Sequence, residues 1–533
     1  MSLLHSAIRV LHATLLTAAV LACGVSASAA AVIPVPAGAD LQAALNSASP
    51  GDLITLAAGA TYTGNFVLPV KQGNAFITIR TDSIDGLPPV GRRISPDASP
   101  LLAKLRSPTN LPALTTAPGA HAWRIELVEF LANRAGQGDI IALGDGSLAQ
   151  SSLDQVPGDL VIDRCYIHGD PDIGQKRGIA LNSGRTAIVG SYISDIKLTA
   201  IDTQAIAGWN GPGPFRIENN HLEAAGEVFL LGGAIPGIRD LVPSDVTFVR
   251  NYVGRPVGWR DQKWQVKNLL ELKNARRVLI ERNLLENNWI AAQAGYAIVL
   301  TPRGERGVAP WAVVEDVTIR LNVVRHVAAA INILGHDDGG PSGLTRLIHV
   351  TQNLFYDVNG RNWGGNGFFL LIGDGPSDII IDHNTIVQTG NLIEAYGADR
   401  GAPVPIQRFV FRDNISFHNS FGVHGAGRST GNDTLQAFFP GVVFDNNVLA
   451  GGRSTLYPPG NMFPSVADLQ DQFVSIAQDD YRLRQESRYR GMATDGAALG
   501  APIEQLESVP RVMMDRDRPR SFIIKRNGGD GGG

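Results

Sequence analysis

Between positions 271 and 374 the chain carries side chains whose types do acid–base and charge chemistry: Glu271, Lys273, Arg303, His336, Asp337, Asp338 and Asp374. A lysine becomes a general base once its pKa is pulled below the usual ~10.4, which a neighbouring arginine or a bound cation does. An arginine fork binds a carboxylate or stabilises a developing enolate. Lys273 and Arg303 are therefore the candidate catalytic pair. Glu271, Asp337 and Asp338 offer hard oxygen ligands of the kind Ca2+ takes, although their spacing is not that of an EF-hand loop. Six of the seven tryptophans fall between 209 and 363, and aromatic faces stack on sugar rings. Trp289 and Tyr296, with His336 and Asp374, are the candidate substrate-binding residues.

Such a set acts together only if a fold brings it to one surface. Leu270 and Leu272 alternate with Glu271 and Lys273, the period-two pattern of a strand with leucines facing a core and charges facing out. Aligned by hand, 270–273 matches 179–182, 229–232, 297–300, 331–334 and 369–372. Polar residues end or follow most of these segments: Asn182, Lys273, Arg303, His336-Asp337-Asp338, Asp374, then Glu394 and Tyr396. One ridge along the molecule is expected.

A longer repeat explains why the segments recur. The pattern apolar, any, apolar, any, any, Asn, any, apolar reads Phe215 to Leu222 and returns with Asn251, Asn283, Asn322, Asn353, Asn384, Asn414 and Asn447 after Asn220. Two looser copies place Cys165 and Ser191 in the Asn slot. A unit of roughly 30 residues, built of short strands without a helix and stacked on its neighbours, predicts one coil of a right-handed parallel β-helix. The expected architecture is all-β: one solenoid over 30–504, a short capping helix after Asp40, and a tail over 505–533 whose end is disordered. Asp480-Tyr-Arg-Leu483 and Gly500-Ala-Pro502 are expected to close the regular part. The asparagines read as scaffold, bonding the corner backbone and each other and adopting left-handed torsions. Ile381-Asp382-His383-Asn384 falls on one such corner and reads the same way.

Composition narrows the function. Lys+Arg 46 against Asp+Glu 50 gives a net charge of −4, without the basic field of a nucleic-acid binder. No apolar run beyond the N-terminus approaches the ~20 residues of a bilayer span. At the N-terminus, Arg9, an apolar stretch from Val10 to Ala22 and Ala27-Ser28-Ala29 make a signal peptide over 1–29, so a secreted protein, extracellular or periplasmic, is expected. Val20-Leu-Ala-Cys23 is the competing lipobox reading. Once Cys23 leaves with the signal, Cys165 has no internal partner.

Leu41-Gln-Ala-Ala-Leu, Pro50-Gly-Asp-Leu-Ile, the stacked Asn coils and Tyr481-Arg-Leu together resemble the pectate-lyase-like superfamily of right-handed β-helix proteins. The stretch from Lys267 through Glu271 and Lys273 to Asn283 resembles, more narrowly, the catalytic coil of the chondroitinase-B and alginate-lyase group. That resemblance implies a polysaccharide lyase, and a monomer is expected. Lys273 would be the base and an arginine one coil on, matched to Arg303, would assist, with Ca2+ held by acidic residues ahead of the lysine, of which only Glu271 is close. Two other readings remain open. Asp337-Asp338 with His336 and Asp374 resembles the paired carboxylates of β-helix polysaccharide hydrolases, without their Asn-Thr-Asp, Gly-His-Gly or Arg-Ile-Lys motifs. A non-catalytic glycan-binding surface protein would share the same scaffold.

Overall fold

The computed structural model describes residues 30–399, 401–506 and 509. The expected signal segment with Cys23, and nearly all of the tail, lie outside the described residues. The chain winds into a right-handed parallel β-helix whose walls are parallel sheets of 14, 12 and 13 strands. Along each sheet, hydrogen-bonded neighbours are mostly three strands apart in sequence, so each coil gives one strand to each wall.

The interior is set by residues that repeat at one register. On the twelve-stranded sheet Ile179, Ile206, Phe229, Leu270, Ile298, Ile331, Leu370 and Ile393 pair in succession. All are fully buried. The hand alignment is therefore one residue off at 297 and 369, and it omitted the strand Gln204–Gly208. Tyr-Ala-Ile-Val-Leu and Phe-Phe-Leu-Leu-Ile are apolar without interruption, so they carry no alternation from which parity could be read.

Both ends of the core are covered. Asp40 accepts from Ala43 N (3.1 Å) and caps the helix Leu41–Ser47, whose Leu41, Ala44 and Leu45 plug the first coil. At the far end Leu435 and Phe438 of the helix Asn432–Phe438 join the same core. The last coil strand is Val448–Ala450. Beyond it the chain leaves the solenoid path: Phe473–Ser475 and Asp480–Leu483 form an antiparallel pair instead of a further coil. Tyr481 and Tyr489 pack with Leu284, Leu354 and Tyr356 on the outer side of the thirteen-stranded sheet.

The asparagine corner forms the expected ladder. From Asn220 to Asn447 each Nδ2 donates to the Oδ1 of the next asparagine at 2.9–3.1 Å. The same Oδ1 takes the preceding asparagine's backbone N–H, as Asn322 Oδ1 does from Asn283 N at 2.9 Å. Ser191 and Cys165 extend the ladder upstream, and Asn461, which lies outside the repeat pattern, ends it. The left-handed torsion falls one residue earlier than expected, on Arg250, Arg282, Leu321, Gln352, His383 and Asp413 among others, with φ of 51° to 59°. The ladder position itself must keep its amide in line with the coils above and below, so the residue before it takes the bend. Cys165 is buried and unpaired, with its thiol pushed up to about 12 by burial.

Candidate active site

Outward side chains of the twelve-stranded sheet form columns along the solenoid. One column runs Thr115, Ala142, Ala180, Ala207, Leu230, Glu271, Val299, Asn332, Leu371, Glu394, His424. Two residues further along each strand, Lys273 follows the same register. Its N–H donates to Leu231 O at 2.8 Å, and its carbonyl accepts from Arg303 N at 3.0 Å. Lys273 and Arg303 thus stand on adjacent coils at the same edge of the sheet.

The Lys273 side chain lies across Gly233, where a Cβ would come within 2.9 Å of the lysine Cδ, and Gly233 has φ +77°. Its Nζ is 3.4 Å from Glu271 Oε1, and 19% of its side-chain surface stays exposed. Glu271 points away from the core, as its parity predicts, yet it is only 3% exposed. Its Oε2 accepts from Asn268 Nδ2 at 3.1 Å. Burial lifts its carboxyl above the ordinary range; Lys273 opposes this and nearby Glu227 adds to it. Glu227, buried at the end of an apolar strand, was missed by the sequence reading, as were Asn268 and Lys267. Lys267 Nζ bridges Asp202 (2.5 Å) and Glu227 (3.4 Å). Asn268 lies three residues before Glu271 in the same coil, whereas Asp202 and Glu227 come from earlier coils, so nothing in the local spacing joins them to Glu271 or Lys267.

Arg303 is 30% exposed at its side chain, and Nη1 binds Asp337 Oδ1 (2.9 Å) and Asp338 Oδ1 (2.7 Å). Gly304 N donates to Asp337 Oδ2 at 2.8 Å and Gly339 N to Oδ1 at 2.9 Å. Burial alone would lift the Asp337 carboxyl, but these two N–H groups and Arg303 hold it below the ordinary range. A Cβ on Gly304 would collide with Pro341 O, so the loop closes only on glycine. On the next coil Asp374 is raised by burial and by Asp338, with His336 opposing. Tyr396 is pushed up to about 12 by burial, Asp374 and Asp338, with Arg303 opposing. Arg303, His336, Asp338, Asp374 and Tyr396 therefore sense one another electrostatically.

Two expected substrate contacts differ from expectation. Trp289 is 4% exposed and packs with Trp259, Trp264 and Val266 under the loop that precedes Lys267. Its face is used to seat that loop, so it cannot stack on a sugar. Tyr296 is also nearly buried, beside Val299, Ala329 and Leu371 on the outward face. Its hydroxyl has no hydrogen-bond partner, and burial, Glu394 and Tyr396 raise its pKa.

The proposed calcium ligands do not fit a metal. Glu271 is engaged by Asn268 and Lys273, and both Asp337 oxygens are engaged by Arg303 and backbone N–H groups. Among the described residues no three His, Cys, Asp or Glu side chains gather at ligating distance.

No family model matches the chain, and no curated protein does either. Solved structures do. The PL6 family alginate lyase AlyGC superposes with a TM-score of 0.53 at 13% identity, over 88% of this chain and 58% of that one. A mannuronic-acid-specific family 6 polysaccharide lyase from human gut microbiota gives 0.51 at 14% identity, over 83% and 93%. The chain shares with them the right-handed parallel β-helix fold.

Proposed function

We propose that this chain is an exported polysaccharide lyase that opens a uronic-acid-containing glycan by β-elimination, with Lys273 as base and Arg303 as carboxylate binder. The observation that carries this reading is the 3.0 Å hydrogen bond from Arg303 N to Lys273 O. It joins the two residues on adjacent coils at one edge of the sheet, each with a part-exposed side chain.

Arg303 uses Nη1 for its two aspartates and keeps the rest of its fork for the uronate carboxylate, whose neutralisation makes the α proton acidic. The neutral amine of Lys273 takes that proton. The electron pair becomes the new C=C bond, the C–O bond to the next sugar breaks, and the ammonium just formed is the proton source for the departing oxygen. No step requires a bound metal.

The test is incubation with pectate, alginate and glycosaminoglycans while following absorbance of the unsaturated product. Growth of that signal with one polymer, and its loss in Lys273→Ala, is the expected result; no signal with any of them removes the reading. A second reading has one observation in its favour, the raised Asp374 beside Asp338, which suits an acid and base for hydrolysis. It would give new reducing ends without the absorbance.

A further inference from the structure

A second concavity lies on the same sheet face, upstream of Lys273. Its floor is the outward column Thr115, Ala142 and Ala180, whose small side chains leave a cavity of 320 Å³ beneath the 144–157 loop. Trp209 stands at its downstream side: Nε1 donates to Gly146 O at 2.8 Å, and Arg177 covers the ring at 5.0 Å. Trp209 was noted in the sequence only as one of a group of tryptophans. Unlike Trp289 it is part-exposed.

Asn182, also on the lining, is 1% exposed. Its Oδ1 is taken by the N–H groups of Trp209 (3.0 Å) and Asn210 (2.9 Å), while its Nδ2 has no hydrogen-bond partner. A buried donor left unmade is costly, at ~1–3 kcal/mol. The charged groups on the lining are Asp139 and Asp145, with no lysine or arginine among them. Arg177, which covers the Trp209 ring, is engaged by Asp139 (2.8 Å) and Gln204 (3.0 Å). Carboxylates accept hydrogen bonds from hydroxyls and repel a second carboxylate. Methyl groups, an indole, amides and carboxylates in one concavity match a pyranose, which has apolar C–H faces and a rim of hydroxyls.

We propose that this cavity binds an uncharged pyranose unit. The inference rests on the carbohydrate reading above for its class of ligand, and it adds that the glycan carries neutral sugars beside the uronate. From Ala180 to Glu271 the column crosses three strand spacings, roughly 14 Å, a span one glycan chain can cover.

Calorimetric titration with glucose, galactose, mannose, N-acetylglucosamine and glucuronate tests it on the full protein, on Lys273→Ala, on Trp209→Ala and on Ala142→Trp. The expected result is binding of at least one neutral sugar, equal in wild type and Lys273→Ala. Binding should be weaker by about tenfold or more in the other two variants, and glucuronate should bind more weakly than glucose. Ala142→Trp fills the cavity from a part-exposed outward position, and its circular dichroism reports folding if Trp209→Ala fails to fold. No binding of any neutral sugar, binding unchanged in folded Ala142→Trp, or glucuronate binding as tightly as glucose would overturn the proposal. The product-absorbance assay reads the lyase proposal separately, so either can fail alone.

Discussion

Two lines of polar side chains run along this solenoid, and they differ in kind. At the asparagine corner eight successive coils, Asn220 to Asn447, present the same residue, each fully buried and bonded to the ladder residues of the neighbouring coils. On the outward face of the twelve-stranded sheet the residue changes along the column: alanines, then Glu271 and Lys273, then Asn332, Leu371 and Glu394. The corner satisfies itself. The face does not: Asn182 Nδ2, Tyr296 Oη and Asn332 Oδ1 are buried polar atoms without partners there, whereas no ladder asparagine from 220 to 447 has such an atom. In a repeat protein, identity from coil to coil marks scaffold, and departure from it marks where something outside the chain completes the bonding.

The sharpest way to break this contrast is Lys273→Ala. If the face is functional, release of unsaturated product falls by about 10²–10⁴-fold, the range of general base catalysis, while the circular dichroism spectrum is kept. Undiminished activity would move the chemistry elsewhere on the face.

On the scaffold side, Asn322→Leu should cost roughly 1–3 kcal/mol in denaturant unfolding, because Asn283 and the Ile280 carbonyl lose their partner. A neutral result would mean that the ladder decorates the corner without holding it.

Gly233→Ala probes the support beneath Lys273. With a Cβ pressed on the lysine stem, kcat should drop by about tenfold with KM little changed, as expected of a displaced catalytic group. Gly38→Ala, at φ +81° in open space, carries the left-handed strain alone and should leave kcat intact.

The smallest effect lies just outside the ladder, at His383. Its ring contacts Asp382, Asp413 and Asp495, the last on the C-terminal segment. The hydrogen bond that its ring donates to Asp382 raises its pKa; burial opposes, and the charges of Asp382, Asp413 and Asp495 add to the rise. A raised folded-state value means stability that is complete below the unfolded pKa, ~6.5, and is lost as pH rises through the folded one. Unfolding free energy should therefore decline as pH rises above ~6.5, by under ~1 kcal/mol, and His383→Gln should flatten that slope.

Much of the scaffold was legible in the sequence. The Asn spacing gave coil length and corner, Asp40 gave the cap, and Cys165 and Ser191 were readable as ladder substitutes. Of the candidate site, the outward parity of Glu271 and Lys273 was legible because Leu270 and Leu272 alternate with them. The register at 297 and 369 was not, because those strands lack alternation. The role of Trp289 was not either, since an aromatic that seats a loop and one that faces substrate look alike along the chain.

Local order along the chain determined what repeats: an apolar period of two, a corner amide about every thirty residues, and polar residues after each strand. Tertiary structure alone decided which of those polar residues meet. Glu227 reaches Glu271 and Arg303 takes Asp337 and Asp338 because parallel stacking brings coils within one strand spacing, while the lengths of the loops between them set the register. Whether an outward carboxylate stays in water or is buried with its pKa raised, as at Glu271, depends on how tightly the stacked coils enclose it, which the alternation along its own strand does not carry.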